Sequence, residues 1–438
     1  MKHILLSTDH VSIPTDILAK TEQALIPAIE HIYNEHKKEY ATDYAFLHAP
    51  YDIALHTQVK KVIAIKKTLE PKLLIVIGIG GSNLGTIAVV QSIYGCFYNE
   101  KMCDMRVFFA DTLDTDYMQD ILFIAEKVLQ RGEIVILNVI TKSGTTTETI
   151  AHWYVFMELL RSFYPYDYHK YIVVTTDKGS PLYICAQQHA LTILEIPQHI
   201  GGRYSVFSAV GLFPLGMIGI DTDALLKGAR YMIELCLQKN ADNIAAQTAA
   251  IRYYWYMHKR TINDLFLFSA DLEYVGKWYR QLMGESIGKE HTVHGEKKAI
   301  GITPTVSIGT TDLHSVAQLY LAGPHDKLTV FVDIAKAKSH CYVPTNTLCD
   351  SLIPQIRGKA VSFITHALLS GVHIAYQKAE RPFMQLVIPE KKAVYIGQLL
   401  QYMMIEMVYL GTLLELNPFD QPHVELYKQE TRKILSNE

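Results

Sequence analysis

Apolar residues recur at helical intervals in the first part of the chain, and their spacing changes to a strand pattern near Lys72. Between residues 16 and 40, apolar side chains such as Ile17 and Leu25 are separated by charged ones. This spacing predicts an N-terminal helical segment. A second helix is predicted from Ile53 to Leu69. We therefore expect the chain to begin with helices.

From Lys72 onward, short apolar runs alternate with longer helical stretches and loops. Runs without polar alternation are typical of strands buried on both faces of a parallel sheet, so this order predicts β-α-β units. The stretch IPQHIGGR at 196–203 separates two series of such runs. The predicted strands are Leu73 to Ile77, Val107 to Ala110, Ile134 to Ile140 and Ile172 to Val174 before it, and Leu265 to Phe268, Leu328 to Val332 and Gln385 to Ile388 after it.

Two α/β domains in tandem account for both series of strands. The 438 residues are too many for one compact core. No sequence repeat links the two halves, so any kinship between them has to be structural. The chain is predicted to end in a long helix from Lys392 to Leu416, followed by a short charged tail.

The composition excludes several classes of protein. Hydrophobic residues make up 49% of the chain and charged residues 19%, which is typical of a soluble globular protein. The net charge is −3 and the lysine pairs are scattered, so nucleic acid is not expected as a partner. The most apolar stretches, Val206 to Ile220 and Tyr402 to Leu416, are interrupted by proline or glutamate. We predict that both are buried core, and no membrane partner is expected.

The cysteines and the N-terminus indicate where the protein works. Sparse cysteines without a C-x-x-C pair suit a reducing cytosol and predict free thiols rather than a disulfide or zinc framework. The start MKHILLSTDHVSIP has only a short apolar stretch and fails as a signal peptide. We therefore expect a cytoplasmic protein. The six cysteines are Cys96, Cys103, Cys185, Cys236, Cys341 and Cys349.

The stretch GIGGSNLG at 78–85 follows the first predicted strand directly. Ligands of open α/β sheets bind at the carboxyl ends of strands, and glycines let backbone N–H groups approach an anion there. The dinucleotide fingerprint G-x-G-x-x-G fails because Asn83 stands where its third glycine is required. Asp111 after the next strand keeps a dinucleotide site as an alternative, and a purely structural tight turn is another.

A second loop, TKSGTTTET at 141–149, follows the strand predicted to end at Ile140. It offers five hydroxyl groups in seven positions, with Lys142 among them. Hydroxyls, backbone amides and one lysine are what a single phosphate monoester requires, without a metal. A capping box made by Thr145 and Glu148 explains the same residues structurally. Two such loops on one sheet favour a phosphate site.

The stretch GESIGKE at 284–290 resembles a P-loop only superficially. Three residues separate Gly284 from Gly288, and Glu290 stands where a P-loop has Ser or Thr, so we reject a nucleoside triphosphatase. Glu285 in this loop is then a candidate base or an ordinary surface residue. His291 and His294 nearby lack the H-E-x-x-H order, and a metal site is not favoured.

Two further residues have both a functional and a structural interpretation. His314 in GTTDLHSVAQL stands at a predicted helix start, where an ordinary histidine near a helix end is the alternative. Arg203, directly after Gly201-Gly202, is suited to hold an anion or to form an interdomain salt bridge.

Together these stretches resemble the phosphoglucose isomerase family, in its shorter bacterial form, from about residue 70 to 430. Each motif is weak alone, but their order and spacing match the family's, with His314 between the last two blocks. The five blocks are GIGGSNLG at 78, TKSGTTTET at 141, GGRYSVFSAVG at 201, GESIGKE at 284 with Gln281 ahead of it, and NPFDQPHVELYK at 417.

The resemblance implies two tandem sugar isomerase (SIS) domains, each a mostly parallel sheet between helices. It further implies interconversion of glucose 6-phosphate and fructose 6-phosphate through a cis-enediol, in a homodimer with a shared site and without metal or other cofactor. The implied domains are 49–198 and 199–390, with an N-terminal helical segment at 1–48 and C-terminal helices at 391–438 that close the site.

The resemblance also implies a role for each candidate site residue. Glu285 is expected to be the base and Arg203 to stabilise the enediolate, while His314 of the partner chain, supported by Glu148, and Lys428 open the sugar ring. A carboxylate can carry one proton between adjacent carbons, and a guanidinium stays charged beside an oxyanion. The residues expected to bind the substrate are Gly81, Ser82, Thr141, Lys142, Ser143, Thr146, Gln281 and Gln421.

Three positions depart from the family's usual residues. Thr141 replaces a common Ser and keeps the hydroxyl, whereas Asn83 lies beside the expected phosphate contacts. His423 stands where glycine is usual, between Gln421 and Lys428, and is the one departure expected to affect ring opening. Other activities remain open at this point: a different SIS-domain isomerase, a non-catalytic sugar-phosphate regulator, or a nicotinamide-linked dehydrogenase.

Overall fold

Two separate five-stranded sheets form the framework of the protein. The structure is a computed structural model that describes residues 3–101, 103–346, 348 and 351–436. Its strands are β1 (Leu5–Ser7), β2 (Leu73–Ile77), β3 (Arg106–Ala110), β4 (Val135–Ile140), β5 (Ile172–Asp177), β6 (Thr192–Ile196), β7 (Ile262–Leu267), β8 (Lys289–His291), β9 (Lys297–Ile300), β10 (Thr303–Ile308), β11 (Lys327–Lys336) and β12 (Phe383–Glu390).

Helices precede the first sheet, connect the strands and end the described chain. They are α1 (Thr15–Ala24), α2 (Ile26–His36), α3 (Ile53–Lys67), α4 (Leu84–Tyr94), α5 (Thr115–Gln130), α6 (Thr147–Phe163), α7 (Pro181–Gln188), α8 (Ala209–Met217), α9 (Thr222–Cys236), α10 (Ile244–Met257), α11 (Glu273–Ile287), α12 (Ala317–Ala322), α13 (Val361–Lys378), α14 (Ala393–Leu413) and α15 (Val424–Ser436).

The first sheet has the order β3-β2-β4-β5-β6, and all of its strand pairs are parallel. The central strands β2 and β4 are buried along their whole length, because helices cover both faces of a parallel sheet. The carboxyl ends of β2 and β4 are neighbours, so the loops that follow them lie at the same edge. The parallel sheet predicted from uninterrupted apolar runs is confirmed.

The second sheet has the order β1-β12-β11-β7-β10. Its strands are parallel except for β1, which pairs antiparallel with β12. The sequence patterns did not predict β1, since three residues with an exposed Leu5 give no periodic signal. The strands β6 and β10 were also missed, because polar residues and Pro304 interrupt their apolar pattern. The predicted α/β class is confirmed, while the predicted domain boundaries stay a prediction.

The helix α14 is the centre of the largest hydrophobic core. It packs against α9, α10 and α11, and nearly every side chain between Ile396 and Leu410 is buried. Gly228 allows its close contact with α9, because a Cβ there would lie 1.8 Å from the Val394 carbonyl oxygen. The apolar stretches around α8 and α14 are thus core, as predicted, and within the described residues no helix is long and apolar enough to cross a membrane.

The C-terminal tail differs from its prediction, whereas the cysteines agree with theirs. The predicted charged tail after Asn417-Pro418 contains α15, whose apolar face was concealed by its many charged residues. The cysteines Cys96, Cys103, Cys185, Cys236 and Cys341 are free thiols, as predicted, and Cys349 lies outside the described residues.

A buried ion pair connects the helices around α14. The Arg252 Nε donates to Glu406 Oε1 at 2.6 Å, and the Tyr279 hydroxyl donates to Glu406 Oε2 at 3.2 Å. Arg252 and Glu406 are only 2% and 0% exposed. Because a buried charge is costly without its counter-ion, this pair couples α10 and α14 to α11.

We expect Glu406→Ala to destabilise the protein by about 3–5 kcal/mol, because it leaves the Arg252 guanidinium buried without its carboxylate. The measurement is the urea midpoint of unfolding followed by circular dichroism. The matched control is Glu430→Ala, whose carboxylate lies in an exposed pair with Lys433 and should cost about 1 kcal/mol or less. Equal decreases of the urea midpoint in the two variants would contradict a stabilising role of the Arg252–Glu406 pair.

Candidate active site

The loop at 78–85 forms a tight turn at the carboxyl end of β2. Gly80 has a φ of +57°, which favours glycine. The Asn83 side chain donates to the Gly78 carbonyl oxygen at 2.6 Å and does not cap α4. Its role is therefore to hold the turn, and the backbone N–H groups at the start of α4 have no side-chain cap. The Ser82 hydroxyl has no hydrogen-bond partner within the described chain.

The loop at 141–147 lies beside the first loop, at the end of β4. The Thr141 and Thr146 hydroxyls are 2.8 Å apart, and the Thr176 hydroxyl donates to the Thr141 carbonyl oxygen at 2.6 Å. The alternative of a capping box made by Thr145 and Glu148 is wrong. The N-cap residue of α6 is Thr146, without a side-chain cap, because its hydroxyl contacts Thr141 instead. The first N–H groups of α6 are thus left for another partner.

Lys142 connects this second loop to the turn before Arg203. Its Nζ donates to the carbonyl oxygens of Gln198 and of Ile200, the latter at 3.1 Å. The neighbouring Asp177 carboxylate is half-buried, and burial raises its pKa to about 6, against the opposing effect of Lys142. Because of its contacts with the Gln198 and Ile200 carbonyl oxygens, the Lys142 ammonium points toward the turn that carries Arg203. Ser143 is exposed and accepts hydrogen bonds only from Thr145 within its own loop.

Arg203 is the most strongly buried charged group of the site, with 2% of its surface exposed. Its Nε donates to the Ser286 hydroxyl at 2.9 Å, and Nη1 donates to Glu285 Oε2 at 3.1 Å. Nη1 also donates to the Gln421 amide oxygen, and Nη2 donates to the Pro418 carbonyl oxygen at 2.6 Å. One guanidinium thus connects the 201–204 turn, the end of α11 and the C-terminal segment.

Glu285 lies in the last turn of α11 and not in a loop, which corrects the sequence analysis. The glycines around Glu285 resemble a loop motif, so the helical spacing was not recognised. In the helix, Gln281 lies four residues before Glu285 and on the same face. The Gln281 amide nitrogen donates to Glu285 Oε1 at 3.0 Å. Both carboxylate oxygens are therefore held, one by Gln281 and one by Arg203.

Close backbone contacts bring the first loop against these side chains. A Cβ on Gly81 would lie 2.2 Å from the Gly202 carbonyl carbon, and a Cβ on Gly80 would lie 3.0 Å from the Gln281 amide nitrogen. At Gly81 only a residue without a side chain allows this approach, because the contact is with backbone atoms. The candidate phosphate loops and the Arg203–Glu285 pair consequently form one site.

The sequence analysis missed three residues that support the site. Ser286 contacts Arg203, while Lys289 donates to the Glu285 carbonyl oxygen at 3.0 Å and to Asp420 Oδ1 at 2.8 Å. Burial lowers the pKa of Lys289. The spacing of four residues between Glu285 and Lys289 was a visible signal, whereas Asp420 is distant in sequence and gave none.

Three expected residues are not joined to this cluster. His314 is exposed on a 3₁₀ turn, Thr311–His314, after the edge strand β10. Lys428 donates to Glu425 at 2.6 Å within α15. In the part of the chain that the structure describes, no hydrogen bond or ion pair joins His314, Lys428 or Glu148 to Arg203 or Glu285.

The unusual His423 has a defined contact beside the site. Its Nε2 lies 2.9 Å from Glu290 Oε2, and Lys297 holds the other oxygen of the same carboxylate at 2.6 Å. Lys297 and His423 lower the pKa of Glu290 to about 2. These contacts attach the segment between Gln421 and α15 to the hairpin of β8 and β9. Within the described residues, no group of three or more metal-ligating side chains is close enough to hold a metal ion.

The arrangement combines hydrogen-bond donors suited to an anion with a carboxylate and a fixed cation. Two uncapped helix starts, free hydroxyls and Lys142 supply donors for a phosphate monoester. Glu285 can accept a proton, and Arg203 can stabilise the negative charge that develops when the proton leaves carbon. Such a site suits proton transfer on a phosphorylated carbonyl compound.

Comparison with known proteins agrees with this chemistry. The family model described as phosphoglucose isomerase matches residues 66–438. The glucose-6-phosphate isomerase of Carboxydothermus hydrogenoformans is 32% identical over 414 residues, which cover 92% of this chain and 87% of that protein. The glucose-6-phosphate isomerase of Fusobacterium nucleatum is 34% identical over 391 residues, with coverage of 88% and 84%.

Solved structures show the same fold. A hypothetical protein from Thermus thermophilus has a TM-score of 0.86 and 28% identity, with 99% of both chains covered. A glucose-6-phosphate isomerase from Chlamydia trachomatis has a TM-score of 0.84 and 20% identity, covering 100% of this chain and 89% of that one. Because the family model matches most of the chain and the relatives exceed 30% identity, the protein belongs to the phosphoglucose isomerase family.

Proposed function

We propose that the protein interconverts glucose 6-phosphate and fructose 6-phosphate, a step of glycolysis and gluconeogenesis. The observation that carries the proposal is the contact of Glu285 Oε2 with Arg203 Nη1 at 3.1 Å, directly beside the glycine turn at 78–85. A base, a cation for the oxyanion and a phosphate cradle are the parts that an aldose–ketose isomerase requires.

The phosphate of the substrate binds between the two loops of the first sheet. Ser82 and the start of α4 supply donors on one side, and Ser143, Thr146 and the start of α6 supply them on the other. Lys142 adds a positive charge that its two carbonyl contacts hold in place. Gly81 leaves room for the backbone to approach the phosphate oxygens.

Glu285 carries the proton between C1 and C2 of the opened sugar. It removes the proton from one carbon, holds it while the cis-enediol exists, and returns it to the other carbon. Arg203 stabilises the enediolate oxygen because its guanidinium stays charged and its position is fixed by buried partners. Gln281 and Gln421, which contact Glu285 and Arg203, orient these two groups. No metal or nicotinamide takes part.

The residues that lie outside the cluster are proposed to act in ring opening. His314 is exposed at the edge of the second sheet, a position from which it is available to a neighbouring chain. We propose a homodimer in which His314, supported by Glu148 of the other chain, acts in the site of that chain. Lys428 acts on the ring oxygen when the 391–438 segment closes over the substrate. The free thiols support a cytoplasmic location.

Glu285→Gln should lower kcat by about 10²- to 10⁴-fold, because the amide cannot accept the proton. The KM should stay within roughly tenfold, since the phosphate cradle is unchanged. The measurement is a coupled assay of fructose 6-phosphate conversion in the presence of EDTA. The matched control is Glu296→Gln, which changes an exposed carboxylate that pairs with Lys298. An unaffected kcat in Glu285→Gln, or wild type that binds the sugar phosphate without turnover, would contradict the proposed function.

The shared site predicts complementation between two inactive chains. A purified mixed dimer of one Glu285→Gln chain and one His314→Ala chain contains one intact site and should show about half of the wild-type kcat. The control dimer pairs wild type with a chain that carries both substitutions, and it should be nearly inactive. If each site used its own His314, the two dimers would give the opposite results.

A further inference from the structure

Four parallel strands of each sheet share one topology. In chain order, the first parallel strands are β2, β3, β4 and β5, and those of the second sheet are β7, β10, β11 and β12. Their spatial orders, β3-β2-β4-β5 and β10-β7-β11-β12, correspond strand for strand. The edge of the second sheet beyond β7 and β11 is therefore the counterpart of the edge that carries both phosphate loops.

The loops after β2 and β7 are equivalent in detail. A 3₁₀ turn begins at the third residue after each strand, at Gly80 after Ile77 and at Ala270 after Leu267. The first turn packs against α11, the second packs against α4, and α4 and α11 pack against each other. The end of α4 thus faces the turn at Ala270. In the same way, the end of α11 faces the turn at Gly80.

The loops after β4 and β11 share a Lys-Ser pair. Lys142 and Ser143 begin two residues after the end of β4, and Lys338 and Ser339 begin two residues after the end of β11. Lys142 donates to backbone carbonyl oxygens, and Lys338 likewise donates to the Ile93 carbonyl oxygen at 3.3 Å. The similarity becomes visible only when the strands are aligned.

A cleft of about 400 Å³ occupies this second position. It lies between the end of α4, the turn after β7, the loop after β11 and the start of α13. Its volume falls in the range of small-molecule sites, roughly 300–1,000 Å³. Ser362 and Thr365 at the start of α13 line the cleft. The Thr365 hydroxyl donates to the Val361 carbonyl oxygen at 3.1 Å and keeps its lone pairs to accept a hydrogen bond.

Positive charge without a carboxylate partner lines this cleft. Lys391 is paired with Asp271, and His366 lies 3.2 Å from Asp333. Lys101 donates to the Tyr94 carbonyl oxygen at 2.6 Å. Among the described residues, neither Lys101 nor Lys338 contacts a carboxylate, and each ammonium has three N–H donors. Both therefore keep donors for an anion in the cleft.

The helix that faces the second cleft carries no counterpart of Glu285. The sequence of α4 contains no Asp or Glu, whereas the corresponding end of α11 supplies Glu285. The end of α4 instead brings Cys96 to the turn, with its backbone N–H donating to Asp271 Oδ1 at 3.2 Å. Asp271 is held by Lys391 and by Cys96. The cleft is built to bind rather than to isomerise.

We propose that this cleft is a second, non-catalytic site that binds the phosphate ester of a small polyol. Lys101 and Lys338 bind the phosphate, and Ser339, Ser362 and Thr365 bind hydroxyl groups of the carbon chain. The ligand class rests on the proposed function of the first site, because the two sites share their loops. A ligand in the second cleft would contact both the end of α4 and the loop after β11. Its binding would depend on the concentration of the phosphorylated sugar.

The test counts binding sites with sorbitol 6-phosphate, which has no carbonyl group and cannot be isomerised. Isothermal titration of the full-length wild type should give two sites per chain. Lys338→Glu should remove one of them, with at least about tenfold weaker binding there, and leave kcat in the coupled assay unchanged. Lys378→Glu, the same charge reversal at the far end of α13, should keep both sites.

The outcomes separate this inference from the proposed function. One site per chain in wild type, or two sites in Lys338→Glu, would overturn the second site. Equal affinity of the Lys338-dependent site for inorganic phosphate and for sorbitol 6-phosphate would overturn the polyol ligand. A wild type without isomerase activity that still loses one binding site on Lys338→Glu would refute the proposed function alone.

Discussion

The buried guanidinium of Arg203 is the interaction on which the site depends. A charge with 2% exposure is tolerated only if its donors are satisfied. Its partners come from the end of α11, from Ser286 and Glu285, and from the distant segment that contains Pro418 and Gln421. The chain therefore cannot bury the Arg203 guanidinium without also bringing the Glu285 carboxylate and the C-terminal segment against it. The free-energy cost of leaving the buried Arg203 guanidinium unpaired therefore couples folding to formation of the site.

The two candidate phosphate loops differ from Arg203, because they leave backbone donors at the helix starts without a side-chain cap. Asn83 and Thr146 are residues that commonly cap helices. Here their side chains contact Gly78 and Thr141 instead, and the starts of α4 and α6 receive no side-chain cap. A helix start without a cap loses some stability but keeps N–H groups for an anion. The same comparison of satisfied and unsatisfied donors identifies the second cleft.

Much of the fold was predictable from local patterns, as were the motifs that form the candidate site. The strand predicted from Leu73 to Ile77 has the observed bounds, because a buried parallel strand requires an uninterrupted apolar run. The short strand β1 was not predictable, since it is stabilised by its partner β12 rather than by its own pattern. Glu285 was a candidate from its motif and its role stays a prediction, while its helical context was hidden by the glycines around it.

The sequence by itself determined the α/β class, the position of the two candidate phosphate loops and the family, because apolar runs and loop motifs are local. Only the tertiary structure decided which distant groups meet: Arg203 with Gln421, Lys289 with Asp420, and Lys338 with the end of α4. It also decided that His314 lies apart from Glu285 within one chain. The physical reason is that contacts between residues far apart in sequence depend on strand order and helix packing, which no local spacing encodes.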